Sequence, residues 1–311
     1  LGRVTDDKEY LASYQTPERV EPGSAAYLIE PGNPSELSSV AAWAYRNHQR
    51  LIVQGANTGL VEGSTPDQSG HQAVLGLNRM GKLVDFDPSD RIAVVEAGVR
   101  LADLNLALSE ADQFFPIELG SNPSIGGLLA TNAGGSRTVR YGDAGSRLLG
   151  LEAVIADQAG STLGSIKGLV KDNSRLRVDR LFVGSFGALG VISRIAVRTA
   201  RLPRSVAAAF IQPPSHHEVL DILRLLETTF VHDVAAFEFI SGDTIALASS
   251  TTPGLRTPFG PDVRDIVLLE VSSSSVDKPA LEEDLALQLQ RISSTPTVGG
   301  IETVLAPHAA A

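Results

Sequence analysis

Three glycine-rich blocks hold the residues whose types and spacing could do chemistry. The first runs Gln54-Gly55-Ala56-Asn57-Thr58-Gly59-Leu60-Val61-Glu62-Gly63-Ser64, directly after the apolar triplet Leu51-Ile52-Val53. Glycines at 55, 59 and 63 permit close backbone approach, so successive N–H groups can converge on an anion, with the Thr58 and Ser64 hydroxyls as further donors. Taken by itself the block reads equally well as a long flexible loop. The second block is Gly120-Ser121, Ser124-Ile125-Gly126-Gly127 and Ala130-Thr131-Asn132-Ala133-Gly134-Gly135. A stretch so rich in small residues packs little core of its own, yet an exposed loop has no need of Ile125, Leu128 and Leu129. A backbone wall pressed against a flat ligand does. The third, Gly184-Ser185-Phe186-Gly187-Ala188-Leu189-Gly190, is a glycine turn ahead of a strand and says little alone.

Two familiar phosphate motifs are excluded. No G-x-G-x-x-G hexapeptide lies between a strand and a helix, as a dinucleotide fold needs. Gly76-Leu77-Asn78-Arg79-Met80-Gly81-Lys82 imitates a P-loop, but Leu83 replaces the hydroxyl residue and the run separates two strands.

The elements that must position these blocks show in the hydrophobic spacing. Asn33 or Ser35 can cap a helix whose apolar face is Leu37, Val40, Ala41 and Ala44. Short strands are expected at 51–53, 74–77, 83–86 and 92–96, then a helix with Leu101, Leu104, Leu108 and Ala111 on one face. A strand at 151–156 turns at Asp157-Gln158-Ala159-Gly160, and 191–198 alternates as a strand should. Pro203 and Pro213-Pro214 mark a boundary. Beyond it, strands at 207–211, 235–240 and 266–271 and helices at 219–226 and 281–289 suggest an antiparallel sheet with helices on one side. The tail from Thr295 carries no periodic signal.

The chain has 311 residues, a net charge of −10, 43% hydrophobic residues and no cysteine. Roughly two domains are expected for this length. The acidic balance, without a basic stripe, makes nucleic acid and anionic membrane surfaces poor candidate partners. The cysteine count excludes disulfides, thiolate catalysis and iron–sulfur ligation, and suits a reducing compartment. No run approaches the ~18 apolar residues of a membrane span. A cytoplasmic protein without an integral membrane segment is expected, peripheral membrane association remaining open.

Together the three blocks resemble the FAD-binding domain of the vanillyl-alcohol-oxidase/PCMH superfamily. The likeness is to the FAD-linked oxidase branch with D-lactate, glycolate-oxidase-type and D-2-hydroxyglutarate dehydrogenases. Residues Gln54 to Pro66 are similar to its pyrophosphate loop, and Leu119 to Gly142, including Arg140-Tyr141-Gly142, to its flavin-ring segment. Lys171-Asp172-Asn173 with Leu181 to Gly190 is similar to its K-D-N…L-F-I-G-S-E-G-T-L-G stretch. The resemblance spans about residues 26–202. It implies an α+β chain: an arm (1–25), a PCMH-type FAD-binding domain of two α+β subdomains (26–202), and part of an antiparallel-sheet substrate or cap domain (203–311).

The same resemblance implies the site. Gln54, Gly55, Ala56, Asn57, Thr58, Gly59, Leu60, Gly63 and Ser64 would surround the pyrophosphate. Gly120, Ser121, Ile125, Gly126, Gly127, Thr131, Asn132, Gly134 and Gly135 would form the flavin wall. Gly190, Val191 and Ile192 would reach the adenine or ribose. No metal is implied, and these residues position a cofactor that carries the redox chemistry. Arg137 and Arg140 are either electrostatic helpers or solvated surface residues.

The implied activity is oxidation of a small 2-hydroxy acid with hydride transfer to FAD. A quinone, cytochrome or flavoprotein would serve as acceptor, and a partner subunit or homodimer is possible. The alternative is a non-catalytic FAD-carrying subunit.

The chain departs from the pattern. Phe186 replaces a glutamate, Glu62 replaces a glycine and must point away from phosphate, and no histidine in the loop offers covalent attachment. His71 reads as a surface residue, and His216-His217 as a capping or surface pair. The branch's H-x-G-D-G-N-x-H segment is absent among His48, His71, His216, His217, His232 and His308. The catalytic base is therefore unassigned, and a missing catalytic half is expected, consistent with the ending Ala309-Ala310-Ala311.

Overall fold

The computed structural model describes residues 2–306 except 18, 20, 173, 175, 232, 261–263, 297 and 299. Asn173, His232, His308 and the final alanines lie outside the described residues. The chain divides into two compact units, Leu1–Gly134 with Asp143–Arg201, and Gly135–Gly142 with Leu202–Ala311.

The first unit begins with β1 (Arg3–Thr5), α1 (Lys8–Gln15), β2 (Ala25–Glu30), α2 (Pro34–Arg46), β3 (Leu51–Gln54) and β4 (Gln72–Gly76). The Asn33 side chain caps α2 by accepting from the Glu36 N–H, with Pro34 in the first turn. These strands form a sheet in the order β1-β2-β4-β3, with β2 and β3 both parallel to β4. The parallel pair β3–β4 forces the chain between them, residues 55–71, to cross back over the end of the sheet. The first glycine block is that crossing.

The unit continues through β5 (Leu83–Asp87), β6 (Ile92–Glu96), α3 (Leu101–Ser109), β7 (Gln113–Phe114) and α4 (Ile125–Thr131). After α5 (Thr138–Tyr141), which belongs to the second unit, come β8 (Leu148–Val154), β9 (Thr162–Ser165), β10 (Val191–Arg198) and β11 (Ala200–Arg201). An antiparallel sheet runs β5-β6-β10-β8-β9, and β7 pairs with β11. Between β4 and β5, the P-loop-like run is a turn. One core holds Leu37 and Val40 of α2, Val95 of β6, Leu151 of β8 and Ile195 of β10.

The second glycine block does more for this core than its composition predicts. Ile125, Leu128 and Leu129 are fully buried, at i, i+3 and i+4 of α4. Burying each contributes about 1.5–3 kcal/mol. The helix can lie close only because Gly126 lacks a Cβ: one added there would meet the Ala97 Cβ at 2.6 Å and the Ala97 carbonyl oxygen at 2.8 Å.

The second unit consists of α5 with β12 (Ser205–Gln212), α6 (Val219–Thr229), β13 (Asp233–Ile240), α7 (Gly242–Thr251), β14 (Ile266–Ser273), α8 (Lys278–Ser293) and β15 (Glu302–Leu305). Its sheet is antiparallel in the order β13-β14-β12-β15. Ile222 and Leu226 of α6, with Leu281, Leu285, Leu289 and Ile292 of α8, share a core with Ala209 and Ile211 of β12 and Leu269 and Val271 of β14. Strand β15 lies in the tail whose sequence carries no periodic signal. It pairs at the sheet edge with all four residues exposed, so it shows no burial pattern to read.

Candidate functional site

A cleft of about 620 Å³ opens in the first unit. That is within the range of about 300–1,000 Å³ usual for ligand sites. Its walls come from the crossing after β3 (Gly55, Ala56, Asn57, Thr58, Gly59, Leu60, Val61, Gly63, Ser64), the approach to α4 (Leu119, Gly120, Ser121, Pro123, Ser124), and α4 with its exit (Gly127, Leu128, Ala130, Thr131, Ala133). Val53 and Phe186 complete the lining. The Ser124 side chain caps α4, its hydroxyl oxygen accepting from the Gly127 N–H at 3.2 Å.

The described lining residues include no acid, no base and no histidine. An anion in this cleft must therefore be held by neutral donors. Among the described residues, no hydrogen bond engages the backbone N–H of Gly55, Ala56, Thr58 or Gly59, which leaves donors on four cleft-lining residues for a ligand. A Cβ added at Gly59 or Gly120 would meet nothing within 4 Å, which places both backbones on open space.

The structure brings many of the expected site residues together and sets others apart. Gly126, Gly190 and Ile192 line a cavity of about 60 Å³ that shares Val53, Gly55, Gly127, Ala130 and Phe186 with the cleft. Gln54 is buried behind the loop, Ile125 lies in the core and Val191 is buried in β10. Asn132 ends α4 in the left-handed region at φ 50°. Its amide donates to Asp143 Oδ2 at 2.9 Å and accepts from the Gly145 N–H at 2.8 Å. Gly134 and Gly135 line neither cavity. Glu62, at φ 60°, likewise lies outside the lining, as a carboxylate beside an anion nest must.

Arg137 and Arg140 have structural partners inside the second unit. Arg137 Nε donates to Glu270 Oε1 at 2.8 Å and Nη2 to Oε2 at 3.2 Å, while Arg140 pairs with Asp233 and Ser272. His216 and His217 lie exposed in a turn capped by Ser215, and His71 is exposed. Val53, Val61, Leu119, Pro123, Ser124, Leu128, Ala130, Ala133 and Phe186 also line the cleft, beyond the residues the sequence implied. Their signal was adjacency to the glycines, with Phe186 in the left-handed region at φ 54°.

Residues 25–163 match the model of an FAD binding domain. The mitochondrial D-2-hydroxyglutarate dehydrogenase of Rattus norvegicus is 33% identical over 304 residues, covering 96% of this chain and 55% of that protein. The chain belongs to the FAD-linked oxidase family. A second member, the D-2-hydroxyglutarate dehydrogenase of Arabidopsis thaliana, is 31% identical over 93% of this chain and 52% of its own length. A putative D-lactate dehydrogenase of Schizosaccharomyces pombe is 32% identical over 85% and 50%. This family member thus spans about half the length of the curated relatives it matches. Among solved structures, an alkyldihydroxyacetonephosphate synthase superposes with a TM-score of 0.76 at 15% identity, covering 99% of this chain and 59% of that one, which shows the α+β PCMH-type fold. The cofactor of the family is FAD, and the uncharged, donor-lined cleft suits its pyrophosphate and flat rings.

Proposed function

We propose that this chain is the cofactor-holding part of an FAD-dependent dehydrogenase or oxidase that acts on a small 2-hydroxy acid. The observation that carries the reading is the neutral cleft, with its free backbone donors, in a chain similar to D-2-hydroxyglutarate and D-lactate dehydrogenases. In this reading the Gly55–Gly59 backbone and Gly63 hold the pyrophosphate. Gly120, Ser121, Gly126, Gly127 and Thr131 line the flavin, and Gly190 and Ile192 border the adenosine side. Bound FAD supplies the hydride acceptor. The chain's own part is to hold the cofactor still and to shed water from one face of the cleft with Leu119, Leu128 and Ala130. We divide the chain at about residues 25 and 202 into arm, cofactor domain and part of a substrate domain.

Oxidation of a hydroxy acid also needs a base for the hydroxyl proton and a cation for the carboxylate. The described cleft residues supply neither. This favours a second reading, in which the chain carries FAD for a partner subunit that completes the site. A quinone, cytochrome or flavoprotein acceptor belongs to both readings, as does a second copy of the chain as partner. Among the described residues no helix is long and apolar enough to cross a membrane. A cytoplasmic setting is our proposal, while the relatives named above include mitochondrial proteins; fractionation of cells producing the native protein tests it.

The deciding experiment loads the protein with FAD and titrates it anaerobically with D-2-hydroxyglutarate, D-lactate or glycolate, following the visible absorbance. Bleaching establishes oxidation by this chain. A bound flavin that none of them bleaches supports the carrier reading, and failure to bind FAD refutes both.

A further inference from the structure

Three polar side chains of the first glycine block, which the family resemblance implies as part of the cofactor site, are engaged inside the protein. Gln54 is 2% exposed, and its Nε2 donates to the Tyr14 carbonyl at 2.8 Å and to the Ser64 carbonyl at 2.9 Å. Both amide hydrogens are thereby used. Asn57, held at φ 55°, donates from Nδ2 to the Thr16 carbonyl at 3.1 Å. Its Oδ1 accepts from the Ser64 hydroxyl at 2.9 Å. Both ends of the loop and its left-handed turn are therefore tied to one another and to residues 14 and 16.

Those acceptors are the exposed end of a helix. The last carbonyls of any α-helix lack partners within it. In α1, the Ala12 carbonyl accepts from the Thr16 hydroxyl, the Tyr14 carbonyl from Gln54, and the Gln15 carbonyl from the Gly23 N–H. The helix itself is anchored away from the cleft. Asp7 caps its start, Leu11 is buried against Leu28 and Val74, and the Tyr14 hydroxyl donates to Glu30 Oε1 at 3.0 Å. Gln15 Oε1 accepts from the Ala25 N–H at 2.6 Å.

We propose that α1 and Thr16 form an outer clamp that sets the shape of the cofactor loop, with the Gln54 and Asn57 side chains as positioning groups that act through the loop they hold. Residues 8–16 then belong to the FAD site functionally although they precede the matched region, which begins at residue 25. The clamp rests on the reading of the cleft as the FAD site. It fixes the course of the loop whose Gly55, Ala56, Thr58 and Gly59 N–H groups carry no other hydrogen bond among the described residues. Such preorganisation shows in affinity, because a slack loop must be ordered at binding.

The test measures amide hydrogen exchange of residues 55–63 in the FAD-free protein, and FAD affinity by quenching of free FAD fluorescence. The proteins compared are wild type, Asn57→Ala, Asn57→Asp and Leu11→Ala, each checked by circular dichroism. Asn57→Asp keeps the acceptor for Ser64 but loses the donor to Thr16, and Leu11→Ala loosens the clamp from its far side. Loop exchange at least fivefold faster in all three variants, with FAD affinity about tenfold weaker, is the expected result. Wild-type exchange with weakened affinity in the Asn57 variants makes Asn57 a direct ligand contact and overturns the clamp. Wild-type exchange and affinity in Leu11→Ala, correctly folded, also overturns it. If wild type binds no FAD, the functional reading fails, and loop exchange alone decides for or against the clamp.

Discussion

Gly126→Ala sets two effects against each other, and the structure says which wins. An alanine inside a helix gains about 1 kcal/mol over glycine in propensity. Against that, the new Cβ would stand 2.6 Å from the Ala97 Cβ and 2.8 Å from the Ala97 carbonyl oxygen. Carbon pairs prefer about 3.5–4.0 Å, so α4 must retreat by roughly an ångström. Part of the obstacle is backbone, which cannot rotate away. Ile125, Leu128 and Leu129 would leave their sites with the helix.

Overpacking of this kind costs typically about 1–3 kcal/mol, and a retreating helix that also loosens three buried side chains belongs at the upper end. After subtracting the propensity gain the net loss is about 1–2 kcal/mol, or roughly 2–8 °C in melting midpoint for a unit of this size. Because Gly127, Leu128, Ala130 and Thr131 line the cleft, FAD affinity should fall as well. The control is Gly59→Ala, whose Cβ meets nothing within 4 Å. It should melt within about 0.5 kcal/mol of wild type and lose only FAD affinity. Differential scanning calorimetry without ligand, then with FAD, separates the two. A Gly126→Ala midpoint equal to or above wild type would refute the close-approach argument.

Three further expectations concern ion pairs and acid stability. Asp179 is fully buried and takes the fork of Arg177 at 2.9 Å, so Asp179→Ala leaves a guanidinium without its carboxylate and should cost about 3–5 kcal/mol in urea unfolding. Arg137→Ala should destabilise the second unit by about 1–2 kcal/mol, and a double-mutant cycle with Glu270→Ala should show coupling through the bidentate contact; additive losses would deny it. Hydrogen bonds from Ser161 hold the Asp157 carboxyl below its ordinary range, so its contribution is present above the unfolded-state value and is lost as pH falls through the folded one. Asp157→Asn should therefore flatten the acid limb of a melting-midpoint curve below about pH 4, and an unchanged limb would show that the turn does not carry it.

What the sequence revealed depended on whether burial leaves a period. Helix α2 and strand β10 are legible because Leu37, Val40, Ala41 and Ala44, or the alternation from Val191 to Arg198, follow one regular spacing. Helix α4 has the same signal in Ile125, Leu128 and Leu129, but the intervening glycines argue for loop, and only the close approach at Ala97 explains why a helix needs them. Helix α1 buries Leu11 alone, too little for a pattern, although Asp7 marks its start. Strand β15 buries no residue. The glycine wall of the cleft was legible from composition. That Gln54 and Asn57 turn away toward residues 14 and 16 was not, because their partners lie 40 and 41 residues distant.

The placement of Gly135–Gly142 has a consequence for anyone dividing this chain. The segment is grouped with the sheet of the second unit, while residues on both its flanks are grouped with the first. The polypeptide thus passes from one unit to the other after Gly134, after Gly142 and after Arg201. A single cut after Arg201 does not yield two finished pieces. The N-terminal product keeps Arg137 and Arg140 but not Glu270 and Asp233, and the C-terminal product keeps those two carboxylates but not the two arginines. Only fragments that travel with the eight-residue segment, or are mixed so that it can dock again, retain the Arg137–Glu270 and Arg140–Asp233 pairs.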